Sequence, residues 1–407
     1  MQDNGIISQL PEMMMGEALT AALTVRPEYN VTLKEAGCTE RLLALSTLYD
    51  LYLPSEMSSE IYSKIYLAML RSLRNKSGNA AMKQRYENHK MIRNQEHKGI
   101  IGGSDSFTII GVSGIGKSTA IGRAITVATE NRIITAEPFQ KIVPCVICQC
   151  PHDCSVKAML FDILRKVDEA IGTDYCEKAI KARATTDMLI GNVSTVALNH
   201  IGLLVIDEIQ NVVNHRQGSS LVGMLTQLIN NSGISICMVG TPETELFFEK
   251  TDYLARRALG LRYEALPYGK EFLGFCETIY GYQYIKMAEP FSEGFARWLY
   301  EHSGGVPALV VSLLHDVQEA VIMNGTETVT ISALEELYKK QYGMVKIGKS
   351  KASKFSVPKF TFAEPCQKER EIVSDFSFTE IISKVKAKDL DVVAELRKYI
   401  AVQEVAV

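Results

Sequence analysis

The sequence predicts an α/β fold: a mostly parallel sheet flanked by helices, preceded by an N-terminal helical region and followed by a small all-helical lid and a C-terminal tail. Three observations carry this expectation. Short apolar runs alternate with helical patterns between Phe107 and Gly240, a glycine-rich loop from Gly111 to Ser118 joins the first such strand to the first such helix, and strand signals stop after about Pro267. Such alternation implies a sheet with helices on both faces.

In the N-terminal region, residues 1–98, Glu60 to Leu73 place Ile61, Ile65, Met69 and Leu73 on one helical face. From Asn75 to Lys98 the chain turns polar and basic, through Lys76, Lys83, Arg85, Lys90, Arg93 and Lys98. Such a run suits a solvated face, or a contact for phosphates or a partner.

Within residues 99–267, strands are predicted at Phe107 to Gly111, Ile142 to Gln149, Leu203 to Ile206, Ile234 to Gly240 and Leu261 to Ala265. Helices are predicted at Lys117 to Thr129, Ser155 to Gly172 with Ser155 as N-cap, Thr185 to His200 and Leu221 to Asn230. Residues 268–342 form the helical lid, with patterns at Lys270 to Tyr280, Ser292 to His302, Pro307 to Met323 and Ile331 to Tyr342. Residues 343–407 are basic and broken by prolines at first, reading as a flexible connector, and Phe378 to Ile400 suits either a partner-binding amphipathic helix or a disordered tail.

A chain of 407 residues with 46% apolar content has enough material for two or three packed domains. Its net charge of −3 means that any nucleic-acid contact must come from local basic patches. The N-terminus, with Asp3, Glu12 and Glu17 and no basic segment before its apolar pieces, does not read as a secretory signal, and no apolar run is long enough for a bilayer. A cytoplasmic protein without membrane contact is expected. Its nine cysteines are then expected as thiols. Cys145, Cys148, Cys150 and Cys154 cluster around His152, but on a strand Cys145 and Cys148 point to opposite faces, which favours packed thiols over a metal site.

The nucleotide chemistry is the most specific signal. Gly111, Gly116, Lys117 and Ser118 fill the Walker A pattern G-x-x-x-x-G-K-[ST], with Val112, Ser113, Gly114 and Ile115 between them and Thr119 following. Glycines let backbone N–H groups turn toward phosphates, Lys117 neutralises β and γ oxygens, and the Ser118 hydroxyl suits Mg²⁺. The Walker B pattern follows at Leu203 to Glu208, an apolar strand ending in two carboxylates. Asp207 suits Mg²⁺, and Glu208 suits polarisation of the attacking water. Thr241, at the end of the neighbouring strand, suits contact with the γ-phosphate or that water, and equally suits an N-cap for a helix starting at Pro242. The adjacent Arg256 and Arg257 read either as solvated surface or as the source of an arginine presented to a neighbouring subunit's nucleotide.

Together these residues resemble the AAA+ (ASCE) P-loop ATPases of the TnsC and TniB type, transposition regulators of bacterial transposons and relatives of IstB. The likeness runs from about Leu51 to Ile322 and includes Leu51-Tyr52-Leu53-Pro54, Leu73-Arg74-Asn75, Cys150-Pro151-His152-Asp153 with Ser155 and Lys157, and Leu228 to Asn231 leading to Val239-Gly240-Thr241-Pro242-Glu243. The resemblance implies ATP and Mg²⁺ as cofactors and assembly of a homo-oligomeric ring or filament on double-stranded DNA. It also implies a bridge from a target-selection protein of the TniQ/TnsD type to transposase subunits of the TnsA/TnsB type, contacted through the region after Tyr342. Lys157, Lys178, Lys181 and Arg183 are then candidates to face DNA phosphates, against the alternative of solvated helix charges.

One departure stands out. Where many AAA+ proteins carry a second sensor arginine, this chain reads Gly304-Gly305-Val306-Pro307-Ala308, which predicts slow, switch-like hydrolysis. Two other functions fit the same motifs: a signalling or defence ATPase acting through protein contacts alone, and a helicase loader of the IstB or replication-initiator type.

Overall fold

Strand β4 (Ile201–Asp207) is buried along six consecutive residues, with Leu203 and Val205 in one core and Leu204 and Ile206 in another. A strand apolar on both faces must be covered on both faces, and this organises the domain. The computed structural model of the protein describes residues 5–76, 79–92, 106–136, 140–213, 215–245 and 260–342. Among these, the sheet has six strands in the order β2-β3-β4-β5-β1-β6. Strands β1 (Phe107–Gly111), β3 (Gln140–Gln149), β4, β5 (Ser235–Gly240) and β6 (Leu261–Tyr263) run parallel, and β2 (Ile134–Ala136) pairs antiparallel with β3 at the edge. The predicted α/β architecture is observed, with β2 as an element that the sequence reading did not include.

On one face, α6 (Val156–Ile171), α8 (Thr186–His200) and α9 (Gly218–Ser232) pack on Val146, Cys148, Leu204, Ile206, Ile236 and Met238. The Ser155 hydroxyl caps α6 as expected, accepting from Ala158 N–H at 3.2 Å, and the Thr185 hydroxyl caps α8, accepting from Met188 N–H at 3.3 Å. A further short helix, α7 (Tyr175–Lys181), follows α6. On the other face, α1 (Gly16–Leu23), α3 (Glu56–Lys76) and α5 (Lys117–Thr129) cover Phe107, Ile109, Leu203, Val205, Cys237 and Val239. Cys145 packs in this second core and Cys148 in the first, so their side chains diverge as the strand periodicity requires. Cys150 and Cys154 are buried in the first core, and burial pushes the Cys150 thiol up to about 12.

The N-terminal residues are helical, as expected, but they are divided between two cores. Leu19, Leu23 and Ile61 join the sheet, whereas Leu45 at the end of α2 (Cys38–Ser46) and Leu48 join Phe272, Trp298 and Leu313 in the helical lid. Arg123 on α5 donates to the carbonyls of Ala22 and Leu23 at 2.9 and 3.1 Å, tying α1 to the helix that follows the phosphate loop. At the sheet edge, the Gln9 amide brackets Thr135, donating to its carbonyl at 2.7 Å and accepting from its N–H at 2.9 Å. That bracket covers part of a strand edge that would otherwise be open to pairing.

The described part of the polar run after Asn75 is helical as well. Lys76 is buried at the end of α3 and donates to the carbonyls of Ala197 and Leu198 at 2.7 and 2.9 Å, closing the C-terminus of α8. Helix α4 (Asn79–Ile92) packs against α8 through Ala81, Gln84 and Asn88, and Gln84 donates to Asn88 at 3.0 Å. Two of these three buried residues are polar, which weakens the apolar periodicity by which such a helix is read. Lys83 is exposed, as a solvated face requires, and Arg93 and Lys98 lie outside the described residues.

The lid comprises α10 (Lys270–Tyr280), α11 (Glu293–Ser303), α12 (Pro307–Asn324) and α13 (Ile331–Leu337). No single helix among the described residues is long and apolar enough to cross a membrane. The connector, the Phe378 to Ile400 helix, Arg256 and Arg257 lie outside the described residues.

A bidentate ion pair joins α2 to the lid: Arg41 Nη1 and Nη2 donate to the two Glu327 oxygens at 2.6 and 2.7 Å. The Arg41 hydrogen bonds hold the Glu327 carboxyl below the usual carboxylate range, against the opposing effect of burial. Replacing Arg41 by Met leaves that carboxylate without its partner and is expected to cost roughly 3 kcal/mol at neutral pH. Because the folded value is depressed, the stabilisation is complete above the unfolded value and is lost as pH falls through the folded one. Urea unfolding of both proteins should therefore show a gap at neutral pH that closes in acid.

Candidate nucleotide-binding site

Parallel pairing brings the carboxyl ends of the strands to one edge, with Gln149 beside Asp207, Ile110 beside Gly240 and Gly111 beside Tyr263. Ligands of such sheets sit at this edge because both faces are covered. One cleft there is lined by Ser113, Gly114, Gly116, Lys117, Ser118, Thr119, Asp207, Glu208, Gln210, Gly240, Thr241 and Ala308. The loop, the two carboxylates and Thr241, which come from three separate strand ends, thus share one space.

The remaining loop residues shape it. Ile115 is buried, with its Cδ1 where a Cβ on Gly111 would stand within 2.6 Å of it, and Val112 is exposed. Lys117 Nζ donates to the carbonyls of Gly111 and Val112 at 2.7 and 2.9 Å, so the loop holds its own lysine at the mouth of the cleft. Burial pushes the Lys117 ammonium down from its ordinary value, while Asp207 and Glu208 oppose that shift.

Ser118 Oγ donates to Asp207 Oδ2 at 2.6 Å, and Asp207 Oδ1 accepts from Glu208 N–H at 2.8 Å. A hydroxyl and a carboxylate in contact are the hard oxygen donors that Mg²⁺ takes alongside phosphates and water, so this set fits the ion. The Glu208 backbone lies in the left-handed region, with φ 59°, and this turns its side chain away from that of Asp207 toward Gln210. The two adjacent carboxylates therefore have separate partners.

Thr241 departs from the N-cap reading. A turn does start here, with Thr244 N–H donating to the Thr241 carbonyl at 3.0 Å, but the Thr241 hydroxyl oxygen is buried without a hydrogen-bond partner among the described residues. A polar atom left over at the wall of a phosphate-sized cleft fits a ligand or water oxygen.

Two contributors escaped sequence reasoning. Gln210 follows the carboxylates in Asp207-Glu208-Ile209-Gln210, and that spacing was its only sequence signal. Ala308, in the first turn of α12, donates its N–H to the Gly114 carbonyl at 3.1 Å. The place expected for a sensor arginine is thus filled by backbone at the start of an 18-residue helix, whose N-terminus favours negative charge.

The candidate DNA-facing residues lie outside this cleft. Lys178 pairs with Asp174 at 2.7 Å and Lys181 with Glu177 at 2.5 Å, both along exposed α7. Lys157 sits over the Phe161 ring at 5.8 Å, and Arg183 is exposed just after α7 with φ 47°. Phosphates would have to compete with carboxylates for the two paired lysines.

With this geometry in view, residues 78–264 match the family described as bacterial TniB protein. That segment is less than half of the chain, and over it the chain is similar to TniB proteins. No curated protein matches it. Among solved structures, it is similar to the Aeropyrum pernix ORC1 protein in complex with DNA, with 14% identity, 64% of each chain covered and a TM-score of 0.41. It is also similar to the ADP form of the Aeropyrum pernix ORC2 protein, with 14% identity, 65% of this chain and 68% of that chain covered, and a TM-score of 0.41. The chain thus spans 64% of the ORC1 length.

Gly114 tests the lid contact. Its φ is +82°, and a Cβ there would meet Val306 Cγ1 at 2.8 Å and Ala308 Cβ at 3.3 Å. Gly114→Ala is expected to add roughly 1–3 kcal/mol of backbone strain, displace the start of α12 and weaken nucleotide binding by about tenfold or more. Titration with a fluorescent ATP analogue reads the effect, and unchanged affinity would remove the lid from the binding site.

Proposed function

We propose that this protein is a TniB-type, ATP-dependent switch that assembles on double-stranded DNA and links a target-selection protein of the TniQ/TnsD type to transposase subunits of the TnsA/TnsB type. The observation that carries the reading is the meeting of phosphate loop, Asp207, Glu208 and Thr241 in one cleft, within a TniB segment. The N–H groups around Gly114 and Gly116 cradle phosphates, and Lys117 leaves its carbonyl partners for the β and γ oxygens. Ser118 and Asp207 hold Mg²⁺, which when bound neutralises phosphate charge.

Hydrolysis joins a water oxygen to the γ-phosphorus and breaks the bond to the β,γ-bridging oxygen, leaving ADP, while the water proton passes to Glu208. Thr241 orients the γ-phosphate or that water, and Arg256 or Arg257 completes the site of an adjacent subunit. The absence of a basic residue in Gly304 to Ala308 supports slow turnover. ATP then acts as a timer: it holds neighbouring subunits together, and its loss releases them. Lys157, Lys178, Lys181 and Arg183 supply sequence-neutral phosphate contacts, which makes binding weaken steeply with salt.

Lys117→Ala is expected to abolish ATP-dependent assembly, whereas Glu208→Gln should retain it and slow hydrolysis by roughly 100-fold or more, trapping the protein on DNA. Electron microscopy with duplex DNA and a non-hydrolysable ATP analogue, alongside single-turnover ATPase assays, reads both outcomes. Failure to assemble on DNA with that analogue would remove the switch reading, and a normal rate in Glu208→Gln would remove the base assignment.

A further inference from the structure

Glu208 is exposed and flexible in chemistry but not free in place. Gln210 Nε2 donates to Glu208 Oε2, and the Glu208 carbonyl accepts from Asn211 N–H at 3.1 Å, closing a tight turn. That turn is anchored below by Ile209, which is fully buried in the core under α9. On the β3 side, Asn211 Nδ2 donates to the Cys150 carbonyl at 2.9 Å. On the β5 side, Gln210 Oε1 lies against Gly240: a Cβ on Gly240 would stand 3.2 Å from that oxygen and 2.8 Å from Ile209 Cγ2. The close approach explains glycine at the end of β5, one residue before Thr241.

The Gln210 amide has only one workable orientation. Exchanging its oxygen and nitrogen would set a carbonyl oxygen against the Glu208 carboxylate, so the donor must face Glu208. Its own oxygen is then buried with no hydrogen-bond partner among the described residues. A buried acceptor left unsatisfied opposes folding, and its persistence beside a reaction centre points to a functional constraint.

We propose that Gln210 is a positioning residue for hydrolysis: its amide holds one oxygen of Glu208, leaves the other to take the water proton, and ties that carboxylate to the end of β5 where Thr241 stands. A neutral donor suits this work, since it orients the carboxylate without pairing away the charge that makes it a base. The inference rests on the reading of Glu208 as the base. Gln210 touches neither phosphate nor water in this scheme and acts through Glu208.

Two substitutions separate positioning from packing. Gln210→Leu removes the donor on a side chain one bond shorter, and Gln210→Glu keeps the shape and replaces the donor by a charged acceptor. Both are expected to slow single-turnover ATP hydrolysis by about tenfold or more and leave the affinity for a fluorescent ATP analogue within about twofold. In a Glu208→Gln background, Gln210→Leu should add no further loss, because the group it positions is already gone. An independent reading comes from nucleotide-free protein labelled with ¹⁵N-glutamine, where the Gln210 side-chain amide resonance should move on Glu208→Ala.

A native rate in both Gln210 variants, an undiminished loss in the Glu208→Gln background, or an unmoved amide resonance overturns the proposal. Failure of the underlying reading looks different. It appears as no hydrolysis by the unaltered chain or as a normal rate in Glu208→Gln, and either result removes the base and this inference with it.

Discussion

Burial of both faces of β4 is the constraint on which the rest of the molecule depends. Leu203 and Val205 need cover from α1, α3 and α5, while Leu204 and Ile206 need it from α6, α8 and α9. Each such side chain is worth about 1.5–3 kcal/mol when removed from water, so neither layer is dispensable. With both faces closed, the strand ends remain as the place where backbone and polar side chains can meet a ligand. The phosphate loop, Asp207 and Thr241 converge for that reason.

At the end of β4 the chain must send two adjacent carboxylates to different tasks. Asp207 is the last residue of the strand and meets Ser118 from there, whereas the left-handed backbone at Glu208 ends the strand and its side chain meets Gln210. A non-glycine residue in that region costs roughly 1–3 kcal/mol. Burial of the next side chain, Ile209, returns about as much, and the hydrogen bonds of Asn211 on the turn add to it. Packing behind the site thus sets the direction of the chemistry in front of it.

The lid reaches the phosphate loop through main chain, with Ala308 N–H on the Gly114 carbonyl. Its core borrows Leu45 and Leu48 from the N-terminal residues, and Arg41 clamps Glu327 on the same side. The N-terminal residues therefore bear on both the sheet, through Arg123 and α1, and the lid. The Gly114 turn therefore touches an element that belongs to the helical core as well as to the sheet domain.

Much of this was legible from residue order. Ser155 and Gly172 delimit α6, Lys117 begins α5 directly after the loop, and the run Leu203 to Asp207 is a strand because only a doubly covered one is so continuously apolar. The Walker residues were equally plain, since their chemistry depends on spacing within a single turn or strand end. Less visible were α4, which buries the polar Gln84 and Asn88 beside Ala81, and β2, too short to show a period. Local pattern determined the elements, the phosphate loop and the carboxylate pair, because helix periods, caps and loop backbones are written over a few residues. Tertiary structure decided that Gln210 holds Glu208, that Thr241 leaves its hydroxyl unpaired and that Ala308 meets Gly114, because those relations arise only when distant segments are packed against one sheet edge.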